Sequence, residues 1–247
     1  MPTNNGGANF DDGLMDGMDA QADAAGVLRL TDDEFAKISA LVRERLGIFL
    51  GEQKRTLVAG RLQKVIRSRN YPSFSAYLEQ VMADRTGAEL VELANRITTN
   101  HTFFFREDAH FRFLASTALP FWAEKLKKSG SRDLRIWSAG CATGEEPYTL
   151  VITLMEFFGT DYANWSAGVL ATDISTQALE TAARGIYPEE RLLEVSDSMR
   201  QRYFQKLPGG EWQVRDFVRR EVTFRRLNFN SGGFPFRKPF HAIFCRN

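Results

Sequence analysis

Leu134-Arg-Ile-Trp-Ser138, Ala139-Gly-Cys-Ala-Thr-Gly144 and Glu145-Glu-Pro-Tyr148 follow one another directly. They read as a buried strand, a glycine-bearing loop and the first turn of a helix that runs to about Phe158. Glycines at 140 and 144 let backbone amides approach a ligand, and the helix start offers N–H groups without intrahelical partners. Downstream the same unit recurs. Ala167-Gly-Val-Leu-Ala-Thr172 ends in Asp173 and leads into a helical pattern from Ser175 to Gly185, while Val222–Leu227 and Phe240–Cys245 read as further strands. Strands alternating with helices predict parallel βαβ units. Glu211-Trp-Gln-Val214 and Phe217-Val218, beside Pro208-Gly-Gly210, predict a small antiparallel hairpin inserted at about 203–220.

Upstream the period is helical throughout. Thr31-Asp-Asp-Glu34 is a capping box leading into Phe35, Ile38, Leu41, Val42 and Leu46, and Gly47 closes that helix. A second pattern, from about Glu52 to Arg69, places Leu57, Val58, Leu62, Val65 and Ile66 on one face; Asn70-Tyr-Pro72 stops it, because proline disfavours helix at the residue before it. Further helices start near Ser73 and near Gly87, and another is expected from Asp108 to Lys128. The expected organisation is an acidic disordered tail at 1–26, a helical N-terminal domain at 27–98 and an α/β domain at 99–247.

Composition sets the class. The chain is 43% hydrophobic and 26% charged, with 32 basic against 31 acidic residues for a net charge of +1, which excludes collagenous and wholly disordered chains. No apolar run approaches the length of a membrane span. Residues 1–26 carry aspartates and no basic residue, so they do not read as a secretory signal, and a cytoplasmic protein without membrane insertion is expected. Cys141 and Cys245 are too few for a disulfide scaffold and lack metal-site spacing, so both are expected to be reduced.

Candidate chemistry begins in the 139–146 loop. A carboxylate at the end of the second strand, Asp173, can accept both hydroxyls of an adenosyl ribose, although it is also a reasonable N-cap for the helix after it. Glu145 and Glu146 put two carboxylates where a dinucleotide phosphate would sit, which argues against a phosphate and for a ligand carrying ammonium and sulfonium, namely S-adenosylmethionine. Simple complementation of the helix dipole accounts equally for one of the two. Thr98-Thr-Asn-His-Thr-Phe-Phe-Phe-Arg106-Glu concentrates polar groups and aromatics at the expected domain junction, a common place for sites. The plainer alternative is three core phenylalanines and an arginine paired to a surface acid such as Glu107. Lys54, Arg55, Arg61, Lys64, Arg67 and Arg69 lie within one stretch free of acids. Arg61, Lys64 and Arg67 project from one helix side, which is either a solvated face or a dock for an acidic partner; the near-neutral total charge disfavours nucleic acid.

Ile97–Glu107, Trp137–Tyr148, Ala171-Thr-Asp-Ile-Ser175 and Ala242-Ile-Phe-Cys-Arg-Asn247 together resemble the chemoreceptor glutamate methyltransferases, the CheR family, and the likeness runs in order from about residue 30 to 247. The resemblance implies a Rossmann-like S-adenosylmethionine-dependent methyltransferase domain with a small antiparallel β-subdomain, preceded by an all-α domain. It implies methylation of glutamate side chains on the cytoplasmic helices of chemoreceptors, with S-adenosylhomocysteine as product. Cofactor contacts implied by motif match are Asn100, Thr102, Arg106, Glu145, Glu146, Asp173, Asn228, Phe229, Arg246 and Asn247, with Gly140 from the loop. Arg106 stands nearest the chemistry, and Arg55, Arg61, Lys64 and Arg67 face the receptor. No metal is expected, and the expected state is a monomer. Family members continue past the Cys-Arg-Asn motif with strands that complete the sheet, so a missing C-terminal part is expected, and the short turn at Pro208–Trp212 argues weakly against tethering of a receptor peptide. Two alternatives stay open: a methyltransferase for nucleic acid or a small molecule, and a non-catalytic module that senses the cofactor.

Overall fold

The computed structural model describes residues 28–98 and 101–246. The expected tail at 1–26, and with it Asn100 and Asn247, lies outside the described residues.

Four helices form the first part: α1 (Asp32–Leu46), α2 (Arg55–Ser68), α3 (Phe74–Ala83) and α4 (Ala88–Ile97). The capping box at α1 is complete, with Thr31 accepting from the Glu34 backbone and Glu34 accepting from the Thr31 backbone; Gly47 closes the helix in the left-handed region. Glu34 does more than cap. Its other oxygen accepts from the backbone and hydroxyl of Ser75, both at 3.0 Å, and so ties α1 to the start of α3. Val58, Leu62, Val65 and Ile66 are buried as the pattern of α2 predicts, whereas Leu57 is exposed. These helices enclose their own apolar core, from Leu30 and Phe35 through Tyr77 to Ile97.

The expected helix from Asp108 to Lys128 forms in three pieces, α5 (Ala109–Phe113), a π turn at Leu114–Ala118 and α6 (Leu119–Lys128). Pro120 supplies the reason, because it lacks the N–H that would bond back to residue 116 and its ring crowds that carbonyl. The sheet then follows: β1 (Ile136–Ala139), α7 (Glu145–Phe158), β2 (Val169–Asp173) and α8 (Thr176–Arg184). An excursion holds β3 (Ile186–Tyr187), α9 (Asp197–Tyr203), β4 (Phe204–Lys206), β5 (Trp212–Val214) and α10 (Asp216–Arg219), before β6 (Val222–Arg226) and β7 (Ala242–Cys245). β6, β2, β1 and β7 lie in that order and pair in parallel. The fold is therefore α/β, as expected, with an all-α part before it.

The small antiparallel sheet differs in detail from the expected hairpin. β5 pairs with β4 and with β3, and Phe217-Val218 belong to α10. Val218 is buried, so its place is set by packing of a short helix rather than by strand propensity. Phe104 anchors this excursion: fully buried, it meets Tyr187 and Phe204 edge-on, each at 5.0 Å. No helix among the described residues is long and apolar enough to cross a membrane.

Candidate functional site

The strand order reverses direction between β1 and β7, so the loops after β1 and β7 diverge and leave a crevice at the carboxyl ends of the strands. A cavity of about 720 Å³ opens there. Its walls come from both parts of the molecule: Leu46, Gly47, Leu50, Lys54 and Ile97 from the helical part, and Gly140, Cys141, Glu146, Asp173, Phe229 and Arg246 from the sheet part, with Thr102 and Arg106 between them.

The loop after β1 turns through three residues of positive φ, Gly140, Ala142 and Gly144. Gly140 and Cys141 both donate backbone N–H to the Thr172 carbonyl, at 2.8 and 2.9 Å, and Gly140 sits at φ +82°. A Cβ added at Gly140 meets only open space, so its missing side chain keeps cavity volume clear. Ala142 takes φ +47°, an unfavourable region for alanine. It is kept there by its N–H, which donates 2.8 Å to Asp173 Oδ2. Asp173 Oδ1 accepts from Ser175 N at 2.9 Å. Asp173 is not the helix cap, since Ser175 caps α8 through Ala178 N. Buried at the cavity wall, Asp173 has its pKa raised by desolvation, with the backbone bonds from Ser175 and Ala142 pulling the other way. Each carboxylate oxygen keeps a second lone pair for a ligand hydroxyl.

The two adjacent glutamates part company. Glu146 lines the cavity, where it accepts from Ser138 Oγ and from Arg246 Nε, both at 2.7 Å; burial raises its pKa against those two partners. Glu145 is 1% exposed and turns toward Thr143 Oγ1 (2.7 Å) and Arg191 (3.8 Å). Burial pushes its carboxyl up to about 7, while Thr143 pulls it down. The structure thus brings Glu146 to the cavity and leaves Glu145 beside it.

Arg106 is set by strained backbone. Its neighbours Phe105 and Glu107 lie at φ +58° and +56°, costly for residues with side chains. Arg106 Nη1 donates to the His101 carbonyl at 2.6 Å, and its own carbonyl accepts from Arg246 Nη1 at 2.8 Å. Arg246 also reaches His110 Nδ1 at 3.0 Å and covers the Phe111 ring. Arg191, which the sequence gives no reason to select, grips the Thr102 carbonyl as well as approaching Glu145. Thr102 and Phe229 line the cavity; Asn228 does not, and its amide instead donates 2.8 Å to the Arg45 carbonyl at the end of α1. Asn230, also missed, lines the cavity and donates to the Glu44 carbonyl.

The basic face of α2 is largely committed to structure. Arg61 Nη1 donates to the carbonyls of Ile97 (3.0 Å) and Thr98 (2.8 Å) and so closes the end of α4, while Arg55 bonds the Leu30 carbonyl and pairs with Asp32. Arg69 pairs with Glu89 at 2.6 Å. Lys64 and Arg67 are exposed on the outer surface, and Lys54 stands at the cavity. The expectation that Arg61, Lys64 and Arg67 form one outward stripe is corrected at Arg61, because helix-end carbonyls attract the nearest guanidinium. His241 is likewise structural: Nδ1 accepts from Arg135 N at 2.9 Å, its ring meets Trp122, and burial lowers its pKa.

Comparison with known proteins agrees with this architecture. Residues 33–98 match the all-alpha domain of CheR methyltransferases, and residues 100–247 match the S-adenosylmethionine-binding domain of the same family. The chemotaxis protein methyltransferase of Borreliella burgdorferi is 38% identical over 220 residues, 89% of this chain and 78% of that protein. That of Escherichia coli is 39% identical over 223 residues, covering 89% and 74%. Chemotaxis protein methyltransferase 2 of Pseudomonas aeruginosa is 38% identical over 213 residues, covering 83% and 72%.

Proposed function

The chain belongs to the CheR methyltransferase family and takes S-adenosylmethionine as its cofactor, and from that premise we propose that it esterifies glutamate side chains on the cytoplasmic helices of chemoreceptors. The observation that carries the reading is a cavity whose buried carboxylates, Glu146 and Asp173, share its wall with Arg106 and Arg246.

The residues present suit the cofactor. S-adenosylmethionine carries an ammonium, a sulfonium, a carboxylate and a ribose diol, so it asks for charges of both signs. Asp173 would hold the diol, Glu146 the ammonium, and the guanidinium of Arg106 or Arg246 the carboxylate, with Gly140 leaving backbone close to the ligand. Asn100, Thr102, Asn228, Phe229 and Asn247 complete the proposed contacts by motif, and Glu145 supports them from behind. When bound, the cofactor supplies a methyl group already activated by the sulfonium.

The protein's task is then alignment. A glutamate is ionised at neutral pH, so its oxygen attacks without a general base, which fits the structural placement of His241 and the burial that drives the Cys141 thiol far up. Holding attacking oxygen, methyl carbon and sulfur in line is worth roughly 7 to 11 kcal/mol in effective concentration. Arg106, pinned between two left-handed residues, orients the ligands at that line. Lys54 at the mouth, with Lys64 and Arg67 outside, attracts the carboxylate-rich receptor helix; the product is a glutamate methyl ester and S-adenosylhomocysteine. Incubation with methyl-labelled cofactor and chemoreceptor fragments tests this directly. Base-labile label on receptor glutamates is the expected result, and label that goes to nucleic acid or nowhere overturns it.

A further inference from the structure

One amide of the helical part, which no motif singles out, meets the segment that follows Asp173. Asn95 lies on α4, facing the start of α8. Its Oδ1 accepts from Ser175 Oγ at 2.9 Å and from Gln177 N at 3.4 Å, and its Nδ2 donates to Thr176 Oγ1 at 3.1 Å. Ser175 is fully buried and has two duties. Its Oγ accepts from Ala178 N at 3.1 Å to cap α8, and its backbone N–H fixes Asp173 Oδ1. A hydroxyl has one proton; Asn95 takes it, which leaves the lone pairs for the cap.

We propose that Asn95 is a positioning residue for cofactor binding, acting from the helical part through Ser175 to orient the carboxylate of Asp173. This rests on the reading of Asp173 as a cofactor ligand. Truncation of Asn95 leaves a buried serine proton without its acceptor, so the hydroxyl swings to the nearest carbonyl, the α8 cap weakens, and the Ser175 N–H no longer holds Asp173 Oδ1 in place. The helical part thereby determines cofactor affinity, in addition to whatever it does for the receptor.

The test titrates S-adenosylhomocysteine into the whole chain as wild type, Asn95→Ala, Asn95→Asp, Asp173→Ala and the Asn95→Ala/Asp173→Ala double variant, with circular dichroism confirming the fold of each. Asn95→Ala is expected to weaken binding by about tenfold, while Asn95→Asp, which keeps an acceptor at the start of α8, stays within about threefold of wild type. With Asp173 already removed, Asn95→Ala has no further effect, because the path through that carboxylate is gone. A merely structural asparagine would lower stability and leave affinity unmoved. Equal loss in both backgrounds, or wild-type affinity in Asn95→Ala beside a weakened Asp173→Ala, overturns the inference alone. Wild-type affinity in Asp173→Ala overturns the reading of the cavity and the inference with it.

Discussion

Two glycines in one loop answer to different neighbours. Gly140 faces open cavity, whereas a Cβ on Gly144 would stand 2.7 Å from the Ala182 Cβ and 2.8 Å from the Tyr187 hydroxyl. Both have positive φ. Gly144→Ala is therefore expected to cost stability heavily, about 3 kcal/mol or more in urea denaturation, through overlap added to backbone strain. Gly140→Ala costs about 1 kcal/mol of strain but places a methyl in the cavity, so its main effect is weaker binding of S-adenosylhomocysteine. Similar losses of stability in the two variants would contradict the assignment. Glu145 offers a second test, with a sign. Its folded pKa, about 7, lies above the ordinary 4.5, so between those values the native chain binds more protons than the unfolded chain. Stability on this account is greatest below pH 4.5 and falls as pH rises through 7. Glu145→Gln, which keeps the neutral shape, removes that fall and stabilises the protein at pH 8 by on the order of 3 kcal/mol at most. Parallel stability curves for the variant and wild type across this range would dismiss the burial argument.

At the level of elements, α2 and the junction before α5 carry most of what remains to be tested. Arg61 and Lys64 share a helix yet do different things, and charge reversal separates them. Lys64→Glu is expected to slow receptor methylation several-fold while leaving cofactor affinity intact. Arg61→Glu, by removing the donor to the Ile97 and Thr98 carbonyls, lowers stability by about 1 to 2 kcal/mol as well. If the two variants behave alike, in thermal melts and in turnover, the division is wrong. The elements themselves were legible wherever one local signal sufficed: Thr31 and Glu34 start α1, Gly47 ends it, and the apolar run before Gly140 makes β1. Asp173, Arg106 and Gly140 were singled out by their motifs and line the cavity, whereas the sequence did not choose between Glu145 and Glu146. Contacts between distant elements were not legible. Nothing local tells Arg61 that the end of α4 lies within reach, or Asn230 that α1 presents its carbonyls, or Phe105 and Glu107 that their backbones turn left-handed. β3 escaped for a related reason, since two residues carry no period and form a strand only because β5 lies alongside.

Across the whole molecule, the cavity is a property of neither part alone. The helical part contributes Leu46, Gly47, Leu50 and Lys54 to its wall, and is fastened to the sheet part by Asn95 at α8 and by Asn228 and Asn230 at the end of α1. Trp137 sits among Phe229, Phe234, Phe236 and Phe240, so the segment between β6 and β7 packs aromatic rings against β1 while Phe229 reaches the cavity.

The buried apolar residues fall into two clusters, one from Leu30 to Ile97 and the other from Phe104 to Val222, with Ile174 of the sheet part packed against the first. Each is expected to melt as its own cooperative block, and a guest lodged at their seam to work like mortar. Scanning the bare protein is expected to resolve two heat-absorption peaks, and saturating it with the spent cofactor to move the lower one up toward the other, since the guest is lost as soon as either block opens.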